Sequence, residues 1–486
     1  MILHFGAVDY KSFVYINGQL AGTHEGGYSS FEIDITGFLN GENETIVVCA
    51  EDDIRNSAHA SGKQSKTYYS HGCYYTRVTG IWQTVWLELV PEKHIKRILF
   101  YPDRVNKVVN IRLFLEQYGQ FALEEVSAEI YYEGRLVGSS ATKTSSDEII
   151  LTVPLDELHL WEPGCGRLYD VVLKYSDDEV KSYFGIRDIG FSGKKFLLNG
   201  KPLFMRLVLD QGYYRDGIYT APSDEALKKD IELALNMGFN GARLHEKVFE
   251  PRFLYHCDRM GYIVWGEYGN WGLDYSSNEA LYTVLPEWAE IVNRDINHPS
   301  IIGWCPFNET WDYEGRRQDD RLLKIIYDMT KMLDPSRPCI DTSGNYHVKT
   351  DVFDVHDYNQ NPDQFKKDYD KLMDEGVLTD RFIDRQKYQG QPVMISEYGG
   401  IKWAVGVDEE NCWGYGKGPK TEEEFIERYR KLTEAILENN CIFGFCYTQL
   451  YDVEQEVNGL YTYDRVPKFD SEIIRTINTK KAAIEE

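Results

Sequence analysis

The sequence predicts a multidomain chain in which two all-β regions precede a (β/α)8 TIM barrel. Short apolar runs separated by turn signals recur up to about residue 185, as in β-sandwiches. After Phe184-Gly185-Ile186-Arg187 the texture changes, and strand-like runs alternate with helix-like ones for about 280 residues, the size of such a barrel. No G-x-G-x-x-G turn occurs, which disfavours the doubly wound alternative.

In residues 1–91, SFVYING alternates apolar and polar residues and ends in an Asn-Gly turn, and TIVVCAED and TVWLELV follow as strands. Residues 92–185 continue with IKRILFYPD, VVNIRLFLEQ, VSAEIYYEG, EIILTVPL and YDVVLKYSDD, spaced as in an immunoglobulin-like β-sandwich. Residues 186–470 hold the barrel, entered through FLLNGKPLFMRLVLD. SDEALKKDIELALNMG is its first helix, with Ser223 to cap it and Gly238 to stop it. The remaining strands of the eight are FNGARLH, YIVWGEY, SIIGWCPF, CIDTS, DVFDVHDY, PVMISEY and FGFCYTQ. The further helices are EPRFLYHCDRMG, PEWAEIVNRDINHP, RLLKIIYDMTKMLDP and TEEEFIERYRKLTEAILENN. Residues 471–486 form a polar, helix-prone tail.

The net charge of −25 argues against nucleic acid and against anionic membranes, because both need clustered Lys and Arg. No run approaches the roughly 18–20 apolar residues of a spanning helix. The start shows no basic segment leading into a long apolar stretch, so no signal peptide is expected. Nine cysteines without a C-x-x-C suggest reduced thiols and a cytoplasmic protein. No metal site or cofactor is called for, and a homo-oligomer is compatible with the sequence.

Barrel chemistry sits at the C-terminal ends of strands. The acids found there are Asp210, Glu267, Glu309, Asp357 and Glu397. Glycoside cleavage needs one carboxyl to protonate the leaving oxygen and another to attack the anomeric carbon. Strands four and seven face each other across an eight-stranded barrel, which singles out Glu309 and Glu397. Asn308 offers an amide to a sugar hydroxyl. Trp304, Pro306, Phe307 and Trp311 surround Glu309 in sequence, so its pKa is expected to be raised, as a general acid requires.

Several segments resemble glycoside hydrolase family 2, the β-galactosidase, β-glucuronidase and β-mannosidase group. GWCPFNETWD is similar to its acid/base motif and PVMISEYGG to its nucleophile strand. RDINHPSIIGW resembles the approach to its fourth strand. EGGYSSFEIDIT and TGIWQTVWLELV resemble its jelly-roll sugar-binding domain. FGIRDIGFSGKKFLLNGKPLFMR resembles its sandwich-to-barrel junction. The resemblance implies a retaining exo-β-glycosidase, β-galactosidase-like, with a carbohydrate substrate. It makes Glu309 the acid/base, Glu397 the nucleophile, Asn308 its transition-state partner and Tyr358 the phenol that orients the nucleophile. It also suggests substrate contacts from His245, Asp210, His356, Trp413 and Tyr447.

The chain departs from the family pattern in several places. LVLDQG replaces N-R-H-E in the first strand, and Tyr447 stands where a Trp platform is usual. Glu456-Val457-Asn458 occupies the place of the glucuronidases' N-x-K clamp, and an acid there disfavours a uronate. The resemblance begins within the jelly roll, so residues 1–91 read as a partial, N-terminally truncated domain with exposed edges. Other family specificities (β-mannosidase, β-glucuronidase, arabinosidase) and a non-catalytic carbohydrate-binding protein are the alternatives.

Overall fold

In the computed structural model, residues 1–117, 123–406 and 412–486 are described. The first 91 residues form small antiparallel sheets. Ile2–Phe5 lies between Phe31–Asp34 and Val85–Glu88, and Lys11–Ile16 lies between Gln19–Glu25 and Ile46–Glu51. The Asn-Gly turn is realised with both residues left-handed, Asn17 at φ 49° and Gly18 at φ 80°, as a two-residue hairpin demands. Val85–Glu88 is exposed along its whole length, with Leu87 at 53% and Trp86 at 44%.

Residues 94–184 build two sheets, of three and four antiparallel strands, around their own apolar core. Arg135–Thr144 and Asp178–Phe184 are strands the sequence pattern did not resolve. Both carry polar or small residues on their outer faces, which blurs the alternation.

The barrel sheet is parallel, in the strand order fourth, third, second, first, eighth, seventh, sixth. These strands are Ile301–Cys305, Ile263–Glu267, Gly241–Leu244, Met205–Asp210, Ile442–Thr448, Val393–Gly399 and Phe353–Asp357. The expected fifth strand, CIDTS, is instead an irregular segment. It pairs with the fourth strand and its exit loop through isolated bridges, Trp304 to Cys339 and Asn308 to Ser343, and Thr342 Oγ1 accepts from Thr310 N at 3.3 Å.

Ser223 caps the helix Asp224–Asn236 by accepting from Ala226 N. The helix expected to begin at Pro286 runs from Glu279 to Asp295, with the proline inside it. Ala280 and Val284 extend the buried face of Trp288, Ile291 and Val292 upstream, and this burial outweighs one missing N–H. A helix that the pattern reading passed over, Pro362–Glu375, carries ordinary signals: Asn361 caps it and Gly376 ends it at φ 68°. The tail contains the helix Ser471–Asn478, and Arg206 ties it to the barrel through Asn478 O and Glu485.

The N-terminal region and the barrel share one core. Tyr28, Tyr75 and Trp82 are buried in the same cluster as Tyr219, Trp265 and Trp304. The connection between Ile46–Glu51 and Gly80–Ile81 lies across the barrel, with Ser61 N and Gly62 N bonded to Trp271 O at 2.7 and 3.1 Å.

Candidate active site

Glu309 follows the fourth strand and Glu397 lies within the seventh. The structure brings them together with His356. One ligand atom from each of Glu309, His356 and Glu397 lies within 4.8 Å of the others. His356 Nδ1 is 2.6 Å from Glu309 Oε1, and its Nε2 is 2.9 Å from Ser343 Oγ and 3.4 Å from Glu397 Oε1. Gly344 makes room for this ring: it is left-handed at φ +85°, and a Cβ there would run into the imidazole. The same three side chains are spaced to share a cation as well as a proton.

Arg243 anchors the floor of the site. Its guanidinium donates to Glu267 Oε2 at 2.7 Å, Glu397 Oε1 at 3.1 Å, Asn308 Oδ1 at 3.0 Å and Ser396 O at 3.0 Å. Glu267 also accepts from Glu246 N at 3.0 Å and lies 2.9 Å from His245 Nδ1. Burial and the nearby Lys63 push His245 well below the ordinary histidine range, so it is a neutral ring, 3.8 Å from Glu397 Oε1.

Tyr358 donates its hydroxyl to Glu397 Oε2 and lies 3.1 Å from Thr448 Oγ1. Tyr415 stacks on its ring at 3.3 Å between centroids, and Trp413 meets Tyr415 edge-on at 4.8 Å. Asn308 is 1% exposed, and its Nδ2 has no acceptor among the described residues. A buried amide donor left open in this way suits an incoming hydroxyl.

The electrostatics depart from expectation. Burial would raise the Glu309 carboxyl, but the His356 bond and charge, with Lys63 and Arg243, hold it below the ordinary range. Conversely, burial would depress His356, and Glu397 and Glu309 outweigh it and raise its pKa. Trp304 and Phe307 are buried as expected, but Trp311 is 44% exposed, so the apolar shield is incomplete.

Two candidates fall elsewhere. Asp210 accepts from Tyr451 Oη at 2.5 Å and Gly212 N at 3.0 Å, and burial with Asp230 raises its pKa to about 6. Neither of these bonds involves the two glutamates. Tyr447 points into the helical layer, 4.8 Å from Tyr429 and 5.5 Å from Tyr398 between centroids. Successive strand residues face opposite sides, and here Thr448 faces inward beside Tyr358. Tyr447 is therefore no sugar platform.

The sequence reading missed Arg243, Lys63 and Glu246 as site residues, and it took Glu456 only as the acid in the place of a uronate clamp. Arg243 was legible, being a lone Arg in an otherwise apolar strand. The other three come from connections whose course only the fold fixes.

A parallel barrel with two facing glutamates at its strand ends is the frame on which glycoside hydrolases work. The chain belongs to glycosyl hydrolases family 2: the model of that family's TIM barrel domain matches residues 189–481. It is 28% identical to a β-galactosidase of Thermoanaerobacter pseudethanolicus over 74% of this chain and 48% of that protein. It is 25% identical to a β-glucuronidase of Streptococcus agalactiae over 96% of this chain and 83% of that one. The chain thus spans about half the length of some curated relatives it matches. In fold it resembles the β-D-glucuronidase of Dictyoglomus thermophilum, with a TM-score of 0.80 at 21% identity over 99% of this chain and 86% of that one.

Proposed function

We propose that the chain is a retaining β-glycosidase working by double displacement on a neutral, β-galactoside-like sugar at its nonreducing end. The carrying observation is the separation of Glu309 and Glu397, with oxygens within 4.8 Å of each other. Retaining enzymes hold their two carboxyls about 5–5.5 Å apart, whereas inverting ones need room for a water. In this reading Glu397 attacks the anomeric carbon while Glu309 passes a proton to the departing oxygen. Glu309 then takes a proton from water, whose oxygen displaces Glu397. Tyr358 and Arg243 hold and aim Glu397 by their hydrogen bonds, and the open amide of Asn308 meets the hydroxyl next to the reacting carbon. Residues 1–91 are read as a jelly-roll region and 92–185 as an immunoglobulin-like sandwich.

A β-glucuronidase is the second reading, favoured by the names of several relatives. Glu456 speaks against it, since an acid stands where the glucuronidases' N-x-K clamp would place a Lys.

A panel of p-nitrophenyl glycosides tests the proposal, with Glu397→Gly assayed in azide beside the wild type. Cleavage by the wild type, loss in the variant and rescue to a glycosyl azide of inverted configuration are expected. Turnover that survives Glu397→Gly, or no turnover of any glycoside, would reject it.

A further inference from the structure

Lys63 lies outside the barrel, on the connection between Ile46–Glu51 and Gly80–Ile81. Gly62 seats this connection on the barrel at φ +56°, where a Cβ would meet Glu246 O and Tyr28 Oη, each at 2.7 Å. Lys63 is 6% exposed, and its Nζ lies 5.2 Å over the ring of Trp271. Trp271 in turn donates to Asn308 O at 3.2 Å. Among the described residues the Lys63 ammonium forms neither a hydrogen bond nor an ion pair. Buried cations are otherwise paired. Burial alone would depress it, but Cys73, Glu456, Glu397 and Glu246 together hold it above its ordinary range. A charged donor without an acceptor thus stands in the field of both Glu397 and Glu456.

The surrounding charges fix the kind of ligand. Arg243 is engaged by Glu267 and Glu397, and His356 by Glu309. Lys63 answers to Glu456, Glu397 and Glu246. Arg243, His356 and Lys63 thus each already stand against acidic side chains, and none of the three is in surplus for an anionic sugar. Glu246 Oε1 is itself buried without a donor.

We propose that Lys63 is a specificity-determining residue of the sugar site, its ammonium donating to a hydroxyl oxygen on the nonreducing-end ring of a neutral β-glycoside. This rests on the reading of the barrel mouth as a glycosidase site. It makes the N-terminal region part of that site, because the barrel alone lacks this donor.

The test uses the full chain. Wild type, Lys63→Met and Lys63→Gln are compared on the p-nitrophenyl β-glycoside that the wild type cleaves best, and on its monodeoxy analogues, with thermal melts alongside. Either substitution should lower kcat/KM by about 10- to 100-fold, the size of a hydrogen bond from a charged group. The melting point should stay level or rise, since no protein hydrogen bond is lost. The loss should nearly vanish on the one deoxy sugar that lacks the partner hydroxyl. An equal loss on every analogue, or no loss at all, would overturn the proposal. So would a wild-type preference for the glucuronide that Lys63→Met abolishes. Titration with D-galactose, D-glucose and D-glucuronate, followed by tryptophan fluorescence, reads the same contact without turnover. Neutral-sugar binding weakened in both variants, in a protein that cleaves nothing, would reject the glycosidase reading and keep Lys63. Equal binding by all three proteins, or none, would remove Lys63 as well.

Discussion

His356 bridges the two glutamates: its Nδ1 lies 2.6 Å from Glu309 Oε1 and its Nε2 3.4 Å from Glu397 Oε1. The imidazole is raised in pKa and the Glu309 carboxyl lowered, so the proton is favoured on the ring side of the pair. In the proposed reaction, a proton delivered through Glu309 is therefore drawn from a His356–Glu309 couple that titrates as a unit.

This sets the pH dependence of catalysis. Glu397 and Arg243 also face His356, and the carboxylates prevail, so the couple loses its proton only above the ordinary histidine value of 6.5. In His356→Gln the proton must sit on Glu309 itself, a carboxyl with an ordinary value of 4.5 that burial then raises. The alkaline limb of kcat/KM should move to lower pH in this variant. An unchanged limb would place the donated proton elsewhere.

Tyr358 holds Glu397 through one hydroxyl bond and is itself clamped by Tyr415. Tyr358→Phe should lower kcat by about 10- to 100-fold, as expected for losing a hydrogen bond to a charged group. Stacking on Tyr415 survives the change, so the thermal midpoint should barely move. Rates and melts on the same preparation check both halves.

Arg243 is 1% exposed and meets two carboxylates, an amide and a carbonyl at once. Removing its charge in Arg243→Met leaves Glu267 buried without its guanidinium partner, which should cost about 3–5 kcal/mol in denaturant unfolding. Arg243→Lys should recover little activity, because an ammonium cannot span the fork of partners.

A second buried histidine reports on stability alone. His347 Nδ1 lies 2.8 Å from Asp341 Oδ1, and its Nε2 lies 3.2 Å from Asp354 Oδ1. Burial would depress it, but the bonds and charges of Asp341 and Asp354 raise it to about 10. A raised folded value means stability fully present below the unfolded value of 6.5 and lost as pH rises through about 10. His347→Gln should therefore melt well below the wild type at neutral pH, and the gap should narrow above pH 10. Melting curves across that range measure it.

Much of this was legible in the chain itself. Ser223 and Gly238 bounded a helix as read, and IIGWCPFNE and PVMISE placed one glutamate just past the fourth strand and one near the end of the seventh, because caps, turns and strand periodicity are local physics. The family motifs added order to those local signals. The pattern also misled where long-range packing outweighed it: Pro286 lies inside its helix, and the fifth barrel position is an irregular segment joined by isolated bridges rather than a strand.

The sequence alone determined the change from all-β texture to a barrel of alternating strands and helices, and it singled out Glu309 and Glu397 as candidates, since these readings follow from neighbours along the chain. Only the tertiary structure decided which charges meet. It turned Tyr447 toward the helices, because strand register assigns each side chain to one face. It set His356 against Glu309 and so lowered a carboxyl that its sequence neighbours would have raised. It carried Lys63 from another region of the chain to the barrel mouth. A pKa and a substrate contact depend on distances through space, and residues 63, 309, 356 and 397 have no local reason to be close.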